Sequence, residues 1–144
     1  MLLLGLGLLG LGRAFYRHPG IQADWIEFVP EGFRLDPRIQ TIVSTIQSGI
    51  SRRLDIEKLA RQANISTSHL RHLFKLETGL TLMQYLKLVR MQQAEHLLRT
   101  TFLSVKEIMN RVGINNESYF SREFKKAHGL APGKYRAASR KSKT

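Results

Sequence analysis

The chain has 144 residues, of which 42% are hydrophobic, so it is long enough for one compact domain or two very small ones with packed cores. Its 23 Lys and Arg against 11 Asp and Glu give a formal net charge of +12, which favours a polyanionic partner, either nucleic acid or an anionic membrane surface. It contains no cysteine, which excludes a disulfide framework, a thiolate metal site and a thiol nucleophile, and is consistent with a reducing cytosol.

The amino-terminal segment, residues 1–35, is neutral, so the whole basic excess lies in residues 36–144. It opens with a leucine-glycine run over residues 1–12, shorter than the roughly 20 residues that a membrane-spanning helix needs. Its first charge, Arg13, follows the run, whereas a secretory signal has its basic residues before the apolar run. We interpret the run as non-targeting: a disordered or loosely packed tail, or the remainder of a longer upstream protein with a membrane or sensor part.

The rest of this segment has no helical period, and it mixes aromatic residues with prolines and glycines. We therefore predict an irregular segment without an independent domain, in which Trp25 packs onto the following domain.

Helical signals begin at Asp36 and Pro37, which suit the cap and the first position of a helix. Isoleucines at helical spacing follow, so a first helix is predicted to end near Gly49.

A first helix-turn-helix pattern spans residues 55–79. Asp55 can cap a short helix through Ala63, and Asn64 stands at a sharp turn where a positive φ is needed. Ser66 then caps a second helix, which Gly79 ends in the left-handed conformation. The polar residues left on the outer face of this helix are Ser68, His69, Arg71, His72 and Lys75.

A long central helix is predicted over residues 81–100. Thr81 and Gln84 form a reciprocal capping box, and an apolar stripe continues to about Thr100. A helix of roughly 18 residues is about 27 Å long, which suits a rigid spacer.

A second helix-turn-helix pattern spans residues 104–129. Ser104 and Glu107 form another capping box, the chain turns at Gly113, Asn116 caps the next helix, and Gly129 ends it. The residues left on the outer face of this helix are Glu117, Ser118, Ser121, Arg122 and Lys125. A last short helix is predicted over residues 132–136, followed by a basic, frayed tail.

The two patterns are copies of each other. Residues 56–90 are repeated by residues 105–136, first at an offset of 49 and, after a one-residue insertion in the bend between the two helices, at an offset of 50. A duplicated, basic helix-turn-helix unit predicts two modules that each offer a second helix to a DNA groove.

Glycine, aromatic and proline positions at fixed spacing make the second copy the more specific of the two. The residues concerned are Ile108, Val112, Gly113, Ser118, Tyr119, Phe120, Phe124, Lys125, Lys126, Gly129, Pro132, Tyr135 and Arg136. With their counterparts from Leu54 onwards, they make the chain similar to the DNA-binding domain of the AraC/XylS transcription regulators. Two residues depart from the family pattern, Asn64 in place of a glycine and Ile114 in place of an aromatic residue.

The resemblance implies an all-α fold of about seven helices, in which two helix-turn-helix subdomains are joined by the long central helix. Both recognition helices would face one side of the DNA and enter successive major-groove segments about 34 Å apart. Because the two modules differ, the DNA site should be asymmetric. The family also implies a contact with RNA polymerase.

The family's base-reading positions fall on Ser68, Arg71, His72, Glu117, Ser118, Ser121 and Arg122. Arg71 and Arg122 are the strongest candidates because a guanidinium can bond O6 and N7 of guanine together, and Glu117 could accept from N4 of cytosine. Ser66, Lys75, Asn116 and Lys125 are better suited to phosphate.

Several of these residues also have a purely structural interpretation. Lys75 and Lys125 could be solvated charges, and Glu117 could simply favour a helix amino terminus. For Arg90, which could reach a phosphate, we favour a structural role, in which it holds the two modules together through backbone carbonyls. We expect the histidines to be packing or surface residues, and the phenylalanines and Tyr119 to form core.

The chain has no nucleophile with its base, no paired carboxylates and no phosphate loop, so we predict no enzyme, no catalytic residue, no cofactor and no metal. We expect a cytoplasmic, nucleoid-associated monomer without an effector domain, because 35 residues cannot make one. Two alternatives are a DNA-binding remnant of a larger membrane-linked sensor regulator, and a basic fragment that binds a partner or a membrane. RNA binding is disfavoured because no exposed aromatic residues alternate with the basic ones.

Overall fold

The computed structural model describes residues 35–143 in full and, of the preceding segment, only the backbone of three strands. These are β1 (Leu4–Leu9), β2 (Arg13–Arg17) and β3 (Trp25–Phe28), which pair antiparallel in the order β1-β2-β3. Here the structure differs from the expectation of an irregular segment. Leucine and glycine alternate in the first five residues of β1, which is a period of two, and β2 and β3 contain aromatic residues and an isoleucine, which favour strands. The search for a helical period missed both signals. The side chain of Trp25 lies outside the described residues.

Residues 35–143 form seven helices and no strand, which confirms the all-α prediction for this part of the chain. The helices are α1 (Pro37–Ser48), α2 (Ile56–Gln62), α3 (Thr67–Thr78), α4 (Leu82–Thr100), α5 (Val105–Val112), α6 (Glu117–His128) and α7 (Pro132–Lys141). Only α7 differs clearly in length from the prediction, because it continues past Arg136 through two alanines and two basic residues that favour a helix.

The predicted helix caps are confirmed. The side chains of Asp36, Asp55, Ser66, Ser104 and Asn116 each accept a hydrogen bond from a backbone N–H in the first turn of the helix that follows. Such a cap stabilises a helix by roughly 1 kcal/mol, because it satisfies an amide that has no partner within the helix. Both predicted capping boxes, at the starts of α4 and α5, are reciprocal.

The predicted turns are confirmed as well. Gly79, Gly113 and Gly129 have φ values of 76°, 76° and 83°, and Asn64 is the one non-glycine residue with a positive φ, 56°, among those that the structure describes. Asparagine tolerates this conformation better than most residues, so its replacement of the family's glycine is compatible with the turn.

Residues 35–143 belong to two compact units. Of these residues, unit one contains 35–49 and Leu54–Leu86, and its buried residues are Leu35 and residues of α1, α2, α3 and the first turns of α4. The rings of Phe74 and Tyr85 meet edge to face at 5.6 Å, and the hydroxyl of Tyr85 accepts a hydrogen bond of 3.0 Å from Gln47. The core of unit one therefore packs against the buried side of α3.

Unit two contains Ile50–Arg53 and the chain from Lys87 onwards. Its core consists of Met91, Ala94, Leu97, Leu98, Ile108, Met109, Val112, Ile114, Phe120 and Phe124. The buried carboxylate of Glu95 accepts a hydrogen bond of 2.6 Å from the hydroxyl of Tyr135, which ties α7 to α4. No helix among the described residues is both long and apolar enough to cross a bilayer.

Candidate nucleic-acid interface

The first helix-turn-helix motif consists of α2, a turn at Asn64 and α3. The backbone N–H of Ile65 donates to the carbonyl of Ala60 at 3.1 Å, which closes the turn, and Ser66 then caps α3. Because Leu70 and Phe74 are fully buried, the opposite side of α3 faces outward. The predicted contact residues Ser68, Arg71, His72 and Lys75 are all exposed there.

The second motif repeats this geometry with α5, a turn at Gly113 and α6. The N–H of Ile114 donates to the carbonyl of Met109 at 2.9 Å, and Asn116 caps α6. Phe120 and Phe124 are fully buried and fix the orientation of the helix. Glu117, Ser118, Arg122 and Lys125 are exposed, whereas Ser121 is half-buried and is therefore the least accessible of the predicted base-reading residues.

Ser66 and Asn116, predicted to bind phosphate, have a structural role that leaves this function open. In each case the cap uses an acceptor oxygen, with distances of 3.1 Å from the N–H of His69 to Ser66 and 2.8 Å from the N–H of Tyr119 to Asn116. The hydroxyl hydrogen of Ser66 and the amide NH2 of Asn116 remain as donors. Each side chain can therefore hold its helix and donate to an anion at the same time.

The side chain of Arg122 is held by two neighbours in the same helix. Its guanidinium lies 5.8 Å from the centre of the Tyr119 ring, and its Nε lies 3.7 Å from the carboxylate of Glu123. No comparable ion pair involves Arg71 within residues 35–143. Arg122 is thus more restricted in its rotamers than Arg71, so it would lose less side-chain entropy if it bound a ligand.

Glu123 lies at the centre of a basic cluster that the sequence did not predict. Its carboxylate is largely buried and lies 3.0 Å from Nζ of Lys87 and 3.4 Å from Nζ of Lys126. The hydrogen bond from Lys87 is the main cause that lowers the pKa of Glu123, and it outweighs the opposing effect of burial. The pairing of Lys87 with Glu123 joins α4 to α6, and no local pattern in the sequence indicates it.

Arg90 binds backbone carbonyls, as predicted, but both carbonyls belong to unit two, so these bonds do not show the predicted joining of the two modules. Its Nε donates to the carbonyl of Ile50 at 2.8 Å, and its Nη2 donates to the carbonyl of Arg52 at 3.0 Å. Burial lowers the pKa of its guanidinium, but arginine remains protonated under any ordinary condition. Its role is to hold the segment Ile50–Arg53 against the rest of unit two.

The expectation that the phenylalanines form core holds for Phe74, Phe120 and Phe124 but is wrong for Phe102. That side chain is 91% exposed, because it lies in the short connection between α4 and α5, and the guanidinium of Arg140 lies 4.9 Å from the centre of its ring. Tyr119 is half-buried against the core of unit two. His128 is a packing residue as expected, since its ring lies 4.5 Å from that of Phe124.

Known proteins share this architecture. A family model described as a helix-turn-helix domain matches residues 59–138, which is more than half of the chain. The HTH-type transcriptional activator RhaR of Enterobacter sp. (strain 638) is 30% identical over 113 residues, which cover 78% of this chain and 40% of that protein. The chain therefore spans less than half the length of this relative.

Two solved structures are similar to the chain. The C-terminal domain of AraT, a response regulator from Geobacillus stearothermophilus, is 36% identical with a TM-score of 0.68, and the match covers 74% of this chain and 88% of that one. The DNA-binding domain of the transcriptional factor AdpA, solved in complex with a target DNA, is 29% identical with a TM-score of 0.69, and covers 74% and 96% of the two chains. The family match and the two capped helix-turn-helix motifs together show that this chain belongs to the AraC/XylS family of helix-turn-helix transcription regulators.

Proposed function

We propose that the chain binds an asymmetric duplex site by inserting α3 and α6 into successive major-groove segments and thereby regulates transcription. The proposal rests on one feature that both motifs share. In each of them a capped helix, α3 or α6, is buried on one side and exposes polar residues on the other. The complex of the related AdpA domain with its target DNA supports the same ligand for this chain. An α-helix fits the major groove, where every base pair has a distinct pattern of donors and acceptors.

The two outward faces differ in chemistry, which supports an asymmetric site. At the offset of 50 residues that relates α3 to α6, Arg71 corresponds to Ser121, and His72 corresponds to Arg122. The guanidinium group thus occupies a different position on each helix. We propose that α3 and α6 prefer different base steps and that one orientation of the chain on the DNA is favoured.

The remaining roles follow from the chemistry of the exposed groups. Ser66, Lys75, Asn116 and Lys125 hold backbone phosphates and set the register, while Ser68, His72, Glu117, Ser118 and Ser121 contribute to base recognition together with the two arginines. The chain works by binding, not by catalysis. It acts at the nucleoid in the cytoplasm as a monomer, contacts RNA polymerase near its site, and has no effector-binding domain of its own in residues 36–144.

The first test is selection of bound sequences from a random duplex library with the purified chain at near-physiological salt. We expect an enriched asymmetric motif of two boxes about one helical turn apart. Retention of DNA without an enriched motif would contradict sequence-specific binding. It would favour the alternative of a basic fragment that binds a partner or an anionic surface.

Single substitutions then test the base-reading assignment. We expect Arg71→Ala and Arg122→Ala each to relax specificity at one position of the selected site, in different boxes, with a loss of roughly 1–3 kcal/mol of discrimination. Competition binding with single-base variants of the site measures this. Arg61→Ala and Arg111→Ala remove exposed arginines from α2 and α5 and serve as controls, which should leave the preferred sequence unchanged. Unchanged discrimination in both test variants would refute the assignment.

A further inference from the structure

The segment between α1 and α2, Ile50–Arg53, is held on unit two by three separate contacts, and we call it the α1–α2 segment. Arg90 donates hydrogen bonds to the carbonyls of Ile50 and Arg52. The side chain of Ile50 packs against the core of unit two. The third contact is the close approach of the Ser51 backbone to Gly113.

The contact at Gly113 is closer than any other residue would allow. A Cβ atom at this position would lie 2.8 Å from Cα and from the carbonyl carbon of Ser51, and closer still to its oxygen. Gly129 is the C-cap of α6, as Gly113 is of α5, but it has open space around it. Gly113 therefore serves the turn and also provides the surface on which the α1–α2 segment lies.

These contacts leave three side chains of the α1–α2 segment facing solvent. The carbonyls of Ile50 and Arg52 point to Arg90, whereas Ser51, Arg52 and Arg53 are exposed. Neither Arg52 nor Arg53 forms an ion pair within residues 35–143. Two adjacent guanidinium groups on an anchored backbone make a local positive patch, which favours an anion with several charges.

The position of this patch indicates which anion it binds. The α1–α2 segment contacts the turn at Gly113, and that turn leads directly to Asn116 and the amino end of α6. Where α6 enters a major groove, the DNA backbone passes the amino end of the helix. We propose that Arg52 and Arg53 bind backbone phosphates beside the groove that α6 enters, an inference that rests on the proposed DNA binding.

Anchoring makes such contacts more favourable than those of a free loop. The backbone of the α1–α2 segment is already ordered by Arg90, Gly113 and Ile50, so binding costs only the rotamer entropy of the two side chains. Because phosphates are the same for every sequence, the pair contributes affinity and register for α6 but no base preference.

Salt dependence tests the proposal directly. The logarithm of the association constant falls with the logarithm of salt concentration by about 0.9 per phosphate contact, so we expect the double variant Arg52→Ala/Arg53→Ala to reduce this slope by about 1.8. The selected base preferences should stay unchanged. The variant Arg52→Lys/Arg53→Lys should keep the wild-type slope, because an ammonium group also neutralises a phosphate.

A matched control separates a local contact from the loss of net charge. Lys134→Ala/Lys143→Ala also removes two exposed positive charges from unit two, but at positions far along the chain from the α1–α2 segment. We expect a clearly smaller change in slope for this pair. An equal change in both double variants would overturn the proposal, because it would assign the effect to overall charge.

Phosphate ethylation interference locates the contact. Ethylation at one or two of the phosphates flanking the box that Arg122→Ala relaxes should weaken binding of the wild type but not of Arg52→Ala/Arg53→Ala. Ethylation at the phosphates held by Asn116 and Lys125 should weaken binding of both. Interference that stays the same in the double variant, or lies only in the box read by Arg71, would refute the proposal. If the wild type showed no salt-dependent binding to any selected duplex, the proposed DNA binding itself would be refuted. This result differs from unchanged interference in the double variant, which would refute only the phosphate contacts of Arg52 and Arg53.

Discussion

Gly113→Ala should lower the free energy of unfolding by about 2–5 kcal/mol, one of the two largest effects that we expect from a single substitution in this chain. Two causes add up. A left-handed backbone conformation costs a non-glycine residue about 1–2 kcal/mol, and φ at Gly113 is 76°. The new methyl group would also overlap the backbone of Ser51, and an overpacked site typically costs about 1–3 kcal/mol.

Gly129→Ala is the matched control for this experiment. Its φ of 83° is as unfavourable for alanine as that of Gly113, but nothing lies within 4 Å of the added methyl group. We expect a loss of only about 1–2 kcal/mol. Urea denaturation followed by far-ultraviolet circular dichroism measures both losses. Equal losses would mean that the α1–α2 segment does not pack on Gly113, and would remove the anchor from the proposal for Arg52 and Arg53.

Phe120→Ala should destabilise unit two by about 3–5 kcal/mol, because it removes a fully buried aromatic side chain and leaves a cavity. Phe120 lies in the core cluster, and its ring centre is 5.8 Å from that of Phe124. Both residues fix the orientation of α6. The variant should therefore also weaken binding to the box that α6 reads, and thermal unfolding with binding titrations would measure the two effects.

Phe102→Ala controls for the loss of a phenylalanine in the same unit. Its ring is 91% exposed and interacts mainly with Arg140, a contact that contributes about 0.5–1 kcal/mol at an exposed site. We expect a loss no larger than that, with DNA binding unchanged. Losses of similar size in Phe102→Ala and Phe120→Ala would contradict the core that the structure shows.

The helices and turns of residues 35–143 were predictable because the signals for them are local. A cap such as Ser104 binds an amide three residues away, and an apolar stripe such as Ile39 to Ile46 repeats within single turns. A turn such as that at Gly113 needs only a residue that tolerates a positive φ. The three amino-terminal strands were not predicted, because only a helical period was sought in segments whose alternation, in β1, or composition, in β2 and β3, favours strands.

The candidate interface was predictable in part. The exposed faces of α3 and α6 follow from the helical period once Phe74 and Phe120 are placed inside, and the family resemblance supplied the residues on them. That Ser121 is half-buried did not follow, because its exposure depends on packing. The exposure of Phe102 was not predictable either. It depends on the short connection in which the residue lies and not on the hydrophobic character of its side chain.

The all-α character of residues 35–143, the two helix-turn-helix motifs, their caps and the family follow from the amino-acid sequence alone. Each of these depends on residues within a few positions of one another or on a repeated pattern. The contacts between distant groups become visible in the folded chain. Lys87 pairs with Glu123, Arg90 holds the carbonyls of Ile50 and Arg52, and Gly113 receives the backbone of Ser51. Such contacts join helices and segments that lie far apart along the chain, and they exist only once a shared apolar core has brought those elements together.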